Sequence, residues 1–371
     1  MSQQTRTRTS GKRTTGNKRP TGNRAERIRA ERRRRIRRRR IRNFIILVLF
    51  LFILTGTGTF LFRIVKNGLS QTPVQAFQTS REFGHSLTSG QKQRVPAFAD
   101  SLCIVENDVL LETVSLEPEQ EGLLFDLGHQ QVLYSKGAYQ KVYPASITKI
   151  MTAVIALKYG NMDEIVTITQ ENVTLEEGAQ LCGFWAGDRV KMSELVNSLL
   201  VYSGNDAASA IATHIGGSIS EFVDLMNDYA AQIGCTGTHF TNPHGLHDEN
   251  HYTTPYDIYL MLNEALKYPQ FTEITQLSSY TLTYERSDGT EVATPLLATD
   301  HYLTGEATAP KDVVVLGGKT GTTSSAGNCL ALLTQNAYGQ NFVSIVMGAS
   351  SKELLYQQMN SLLQNINSSQ E

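Results

Sequence analysis

The sequence predicts an α/β domain, an antiparallel sheet with flanking helices and a helical subdomain, preceded by one N-terminal transmembrane helix. Three observations lead there. A charge-free apolar run follows a basic head. Strand-like stretches open and close the region after residue 120. Helical periodicity fills the interval between them.

The charge-free run is "NFIILVLFLFILTGTGTFLF", residues 43–62, bounded by Arg42 and Arg63. At about 1.5 Å per residue it spans about 30 Å, the thickness of a hydrocarbon core. A cleaved signal peptide has a shorter apolar core and ends in a small-residue site. This run is longer, and it continues into "RIVKNGLSQ" without such a site, so an uncleaved single-pass anchor is expected.

The 371 residues carry a formal net charge of −1, unevenly divided. Residues 1–42 hold 18 Arg and Lys against two Glu, which leaves 16 basic and 33 acidic side chains for the rest. Arg and Lys stay on the cytoplasmic side. The expected location is therefore the cell membrane, with the N-terminus cytoplasmic and everything after about residue 63 extracytoplasmic. A basic head beside a membrane helix reads as a topology determinant touching anionic lipid, and nucleic acid is not expected as a partner.

Four segments follow. Residues 1–42 form a basic cytoplasmic segment whose opening part, 1–24, is rich in Thr, Gly, Arg and Lys and suits disorder. Residues 43–62 are the anchor, 63–100 a polar extracytoplasmic stalk, and 101–366 the folded domain. A domain of this size buries its own core without cross-links. Cys103, Cys182, Cys235 and Cys329 form no C-x-x-C pair and are expected as structural or free thiols, although disulfides are possible outside the cell.

Within the domain, "EGLLFDLGHQQVLYSK" reads as a hairpin around "LGHQ". "SITKIMTAVIALKYG" is a helix apolar on most of its surface, hence buried, and it stops at Gly160. "KMSELVNSLLVYSGNDAASAIATHI" reads as two helices broken at Ser203-Gly204-Asn205, and "SEFVDLMNDYAAQIG" as another helix. "KDVVVLGGKTGTT" is a strand, "NCLALLTQNAYGQNFVSIVMGAS" two strands joined at "AYGQ", and "SKELLYQQMNSLLQNI" a closing helix.

Three stretches carry candidate chemistry. In "PASITKIMTA", Ser146 and Lys149 stand at i and i+3, on one face of a helix. A serine hydroxyl needs an adjacent base, and a lysine serves only when burial and nearby cations make it neutral. The plainer reading is a helix N-cap at Ser146. In "YSGND", Ser203 and Asn205 sit in a break where side chains point into a cleft, able to pass protons and bind a carbonyl; an N-cap is again the plainer reading. In "GGKTGTT", glycines on both sides of Lys319 open an edge strand to close approach, and a peptide substrate can pair there. Lys319 and Thr320 then offer a cation and a hydroxyl to a terminal carboxylate; the plainer reading is a Gly-rich turn. A phosphate loop is excluded, because a valine stands where that motif requires its first glycine.

The three occur in a fixed order along the chain: S-x-x-K at 146–149, S-x-N at 203–205 and K-T-G at 319–321. With these motifs, and with "LEEGAQLCGFWAGDRVKMSELVNSLLVYSGNDAASAIA", "THFTNPHGLHDENHYTTPYDI" and "GGKTGTTSSAGNCL", the chain resembles the penicillin-binding D-alanyl-D-alanine carboxypeptidases, low-molecular-mass serine peptidases of cell-wall metabolism. The likeness runs from about residue 120 to 350. It implies the β-lactamase/DD-peptidase-like fold and acyl transfer without a cofactor. Ser146 is then the nucleophile, Lys149 its base, and Ser203 the proton relay to the leaving amine. Asn205 holds the acyl-side amide, and Lys319 and Thr320, followed by Gly321, bind the terminal carboxylate. The backbone N–H groups of Ser146 and Thr322 form the oxyanion hole. The implied partners are the peptidoglycan stem peptide and β-lactam inhibitors.

"HFTNPHGLHDENH", 239–251, crowds His239, His244, His247, His251 and Asp248 together, a zinc-like set. It lacks H-E-x-x-H, and the resemblance makes it a structural loop bordering the cleft, so no metal is expected. Thr322 stands where many relatives carry His or an aromatic residue, which leaves side-chain preference open. Residues 275–310 match the family poorly. Two alternatives remain, a β-lactamase and a membrane sensor of β-lactams or wall fragments. Gly204 in place of aspartate and no E-x-x-x-N between 205 and 319 weigh against the first, and the short cytoplasmic segment against the second. Carboxypeptidase versus endopeptidase preference and a vegetative or developmental role lie beyond the sequence.

Overall fold

The computed structural model describes residues 102–367. The basic head (1–42), the anchor (43–62) and the stalk (63–100) lie outside the described residues. Among the described residues no helix is long and apolar enough to cross a membrane.

The described strands form two antiparallel sheets. In chain order they are β1 (Glu121–Asp126), β2 (Gln131–Lys136), β3 (Ile165–Thr167), β4 (Arg189–Lys191), β5 (Ser279–Glu285), β6 (Glu291–Leu297), β7 (Val313–Thr323), β8 (Gly327–Asn336) and β9 (Asn341–Ala349). The larger sheet runs β2-β1-β9-β8-β7, which leaves β7 at its edge; the smaller runs β3-β4-β5-β6. Successive side chains on a strand face opposite sides. Leu123, Phe125, Ala331 and Leu333 therefore enter one core, and Leu124, Leu330 and Leu332 the other. Burial on both faces explains why "CLALL" is an unbroken apolar run.

The first core is closed by α1 (Lys149–Tyr159), α2 (Met192–Val201), α3 (Asn205–Gly216), α4 (Ile219–Gln232), α5 (Pro255–Ala265) and α6 (Pro269–Thr275). The second is closed by α7 (Lys352–Leu363), through Leu355, Met359 and Leu362. In α1 every residue from Lys149 to Ala156 is buried, as its all-round apolar surface requires.

Ahead of the first strand, Leu102, Cys103 and Val105 pack into the core, and the Tyr256 hydroxyl donates to the Cys103 carbonyl at 2.9 Å. Two features depart from the sequence reading. The poorly matching stretch 275–310 contains the β5–β6 hairpin, paired in register from Ser279–Leu297 to Glu285–Glu291. Ser146 is not a helix cap. A 3-10 turn, Ala145–Thr148, precedes α1, and the cap positions are Pro144 and Thr148. Likewise Gly204, rather than Ser203 or Asn205, precedes α3. All four cysteines are buried free thiols.

Candidate active site

The 3-10 turn before α1, the break between α2 and α3, and edge strand β7 meet at one cleft. Ser146, Ser203, Asn205, Thr320, Gly321 and Thr322 line it. Lys149 and Lys319 lie behind this lining, 0% and 1% exposed. The structure thus brings together every site residue singled out in the sequence.

Lys149 Nζ lies 2.8 Å from Ser146 Oγ, 2.7 Å from Asn205 Oδ1 and 2.7 Å from the His244 carbonyl oxygen. Burial holds its pKa well below the usual lysine range, and the charge of Lys319 acts in the same direction. A neutral amine has two N–H bonds and one lone pair. Asn205 Oδ1 and the His244 carbonyl only accept, so they take the two N–H bonds. The lone pair is left for Ser146 Oγ–H, the arrangement that general-base removal of that proton needs.

Lys319 Nζ donates to Ser203 Oγ and to the Thr320 carbonyl, both at 3.0 Å. Because Ser203 Oγ accepts there, its own proton is free to be given into the cleft. Burial pushes Lys319 down to about 7, opposed by the carboxylate of Asp300. Both lysines of the site are thus pushed down, Lys149 by burial and the charge of Lys319, Lys319 by burial against the pull of Asp300. Asn205 points its oxygen at Lys149, which turns its N–H2 group toward the cleft.

Backbone geometry sets these positions. Ser203 is left-handed, with φ 68°, an uncommon conformation for a residue other than glycine. Beside it, a Cβ on Gly204 would stand 2.2 Å from Cys182 Sγ, so the middle position has no room for a side chain. Asp206, the residue after Asn205, accepts from Cys182 N at 2.9 Å and Gly183 N at 3.1 Å, and so ties the cleft rim to the start of α3. On β7, a Cβ at Gly321 would lie 2.9 Å from the Pro144 carbonyl oxygen and 3.1 Å from Ser146 N. The absent side chain lets the strand reach the serine turn. Thr322 Oγ1 donates to Asn328 Oδ1 at 3.2 Å, across to β8.

The histidine-rich loop works through hydrogen bonds. Asn242 Oδ1 accepts from His244 N and Gly245 N, and Asn242 Nδ2 donates to the Leu246 carbonyl. This presents the His244 carbonyl to Lys149. Burial pushes the His244 imidazole down to about 3. Among the described residues no three His, Cys, Asp or Glu side chains gather as metal ligands.

Sequence reasoning missed several contributors. The His244 carbonyl is backbone, with no side-chain signature. Thr299 Oγ1 lies 2.6 Å from Thr320 Oγ1. Asp300 is buried, takes hydrogen bonds at Oδ1 from Tyr302 N and the Tyr356 hydroxyl, and leaves Oδ2 without a partner. Both lie in the stretch that matched the family poorly, so no motif marked them.

The D-alanyl-D-alanine carboxypeptidase family model matches residues 118–351. The chain belongs to this family. Among similar carboxypeptidases, DacF of Bacillus subtilis is 31% identical over 238 residues, 62% of this chain and 58% of that one. DacC of Escherichia coli is 30% identical over 254 residues, 65% of this chain and 59% of that one. The chain thus spans less than two thirds of the length of these carboxypeptidases. The crystal structure of the Streptomyces K15 DD-transpeptidase superposes with a TM-score of 0.60 at 25% identity, covering 66% of this chain and 94% of that one. The antiparallel α/β architecture is therefore that of the solved DD-peptidases.

Proposed function

We propose that this chain is a serine-type D-alanyl-D-alanine carboxypeptidase that removes the terminal D-alanine from peptidoglycan stem pentapeptides. The carrying observation is Lys149 Nζ, buried and depressed in pKa, 2.8 Å from Ser146 Oγ with its other two directions ended on carbonyl oxygens.

In this reading Lys149 takes the Ser146 Oγ proton as Oγ attacks the carbonyl between the two D-alanines. The oxyanion is held by the backbone N–H groups of Ser146 and Thr322, each of such donors contributing roughly 10²–10³ in rate. The proton held by Lys149 passes through Ser203 to the leaving amine, the C–N bond breaks, and D-alanine departs. Water then cleaves the ester, returning Ser146 and the shortened stem. Asn205 binds the acyl-side amide through its N–H2 group. Lys319, with Thr320 and Gly321 beside it on β7, receives the terminal carboxylate. β-Lactams acylate the same serine and are released slowly. No cofactor takes part.

Location belongs to the same proposal. Residues 43–62, uncharged throughout between Arg42 and Arg63, anchor the protein in the cell membrane with the basic head inside and the peptidase outside. Gly204 supports peptidase over β-lactamase, since an aspartate has no space beside Cys182. The test is D-alanine release from a pentapeptide stem by the wild type and by Ser146→Ala. Release is expected from the wild type alone and unaffected by a chelator. Release by the variant, or its loss with chelator, refutes the serine mechanism.

A further inference from the structure

His251 belongs to the loop that resembled a zinc site, yet its ring is buried, 2% exposed, against the back of the nucleophile turn. Its hydrogen bonds admit one assignment. Thr241 N–H points at Nδ1 from 3.1 Å, and a backbone N–H only donates, so Nδ1 carries a lone pair. The ring proton is then on Nε2, which lies 2.8 Å from Thr148 Oγ1 and donates to it. The Thr148 hydroxyl, having accepted, donates its proton to the Ala145 carbonyl at 2.8 Å.

The Ala145 carbonyl is half of the peptide unit whose other half is Ser146 N–H. A trans peptide points these two groups in opposite directions. Pinning the carbonyl inward therefore turns Ser146 N–H outward, toward Gly321 on β7. The pinning has something to resist. Ala145 has φ 47°, left-handed for a residue with a Cβ, a conformation disfavoured because the Cβ crowds the following carbonyl oxygen. Gly245 packs so closely over the same carbonyl that a Cβ there would stand 1.8 Å from the oxygen.

We propose that Thr241, His251 and Thr148 form a buried relay that holds the Ala145–Ser146 peptide unit in its strained orientation, and so aims the oxyanion-hole donor. Thr148 and His251 are positioning residues and do not touch substrate. The inference rests on the peptidase reading for the use of that donor; the relay itself does not. The imidazole is neutral in this role. Burial pushes it down to about 4; the Asp248 charge opposes this, while His239, His247 and Lys149 assist it.

Two measurements test the relay. Long-range 15N–1H spectra of the full chain at pH 7 are expected to show His251 with its proton on Nε2; a proton on Nδ1 overturns the assignment whether or not the protein is a peptidase. Thr148→Val keeps the side-chain shape and removes the hydroxyl. It is expected to slow acylation by a fluorescent penicillin about 10- to 100-fold, with the dissociation constant of the initial complex little changed. Thr148→Ser restores most of the rate, and His251→Gln, which keeps a donor toward Thr148, exceeds His251→Leu. Unfolding midpoints identify any variant that fails to fold. Acylation by folded Thr148→Val and His251→Leu at the wild-type rate refutes the positioning role. A wild type that is never acylated refutes the peptidase reading instead, and leaves the tautomer to decide the relay.

Discussion

Lys149 Nζ and Ser146 Oγ stand 2.8 Å apart, and the amine's other two hydrogen bonds end on oxygens that can only accept. Burial depresses the Lys149 pKa, and with two N–H bonds taken by those oxygens the neutral amine keeps its lone pair for Ser146 Oγ–H, which sets the first expectation. Lys149→Met preserves the buried volume while removing the lone pair. Acylation by penicillin is expected to fall by about 10²–10⁴, with the folded state retained. A loss under tenfold in a folded variant contradicts the base role.

Lys319 governs the alkaline side. Its pKa of about 7 means the ammonium is present below that pH and lost above it. kcat/KM for a substrate ending in a free carboxylate is therefore expected to decline as pH rises through about 7, expressed mainly in KM. A substrate ending in an amide does not share the decline. Asp300→Asn removes the opposing charge, so the decline moves to lower pH. Identical profiles for acid and amide substrates contradict the assignment.

Acid stability follows from the histidines. His251 and His244 are pushed from 6.5 to about 4 and about 3 by burial. Between these values and 6.5 the unfolded chain binds protons that the folded chain refuses, so their contribution is present above about 6.5 and is lost as pH falls toward 4. The unfolding midpoint is expected to drop over that window, with proton uptake on unfolding. His251→Gln should reduce both effects.

Gly204 offers a structural check. Gly204→Ala places a methyl group against Cys182 Sγ, where the separation would be 2.2 Å. Overpacking of this kind costs about 1–3 kcal/mol. Cys182→Ala removes the sulfur, and the double variant is expected to recover much of that loss in chemical denaturation. Additive losses in the double variant contradict the steric explanation.

Legibility in the sequence varied with physical cause. The β1–β2 hairpin and the closing β7–β8–β9 strands were readable because turn residues punctuate apolar runs buried on both faces. The β5–β6 hairpin is also written in the sequence, since Tyr280, Leu282 and Tyr284 alternate with exposed Ser279, Thr281 and Thr283, but it lies in the stretch that carries no family motif. Residues 102–120 pack without regular periodicity. At the site, Ser146, Lys149, Ser203, Asn205 and Lys319 through Thr322 were marked by residue type and order. What holds them was not. The His244 carbonyl, the left-handed Ala145 and Ser203, and the tautomer of His251 are backbone and hydrogen-bond facts that no residue letter encodes. The N-cap reading of Ser146 failed for the same reason, since a 3-10 turn places Thr148 at the cap instead.

The most direct measurement is the intact mass of the protein after incubation with penicillin, followed by peptide mapping. The wild type is expected to gain one penicilloyl group on Ser146, Ser146→Ala none, and Lys149→Met none over the same interval. An adduct on another residue, or one that persists in Ser146→Ala, contradicts the assignment of Ser146 as the nucleophile.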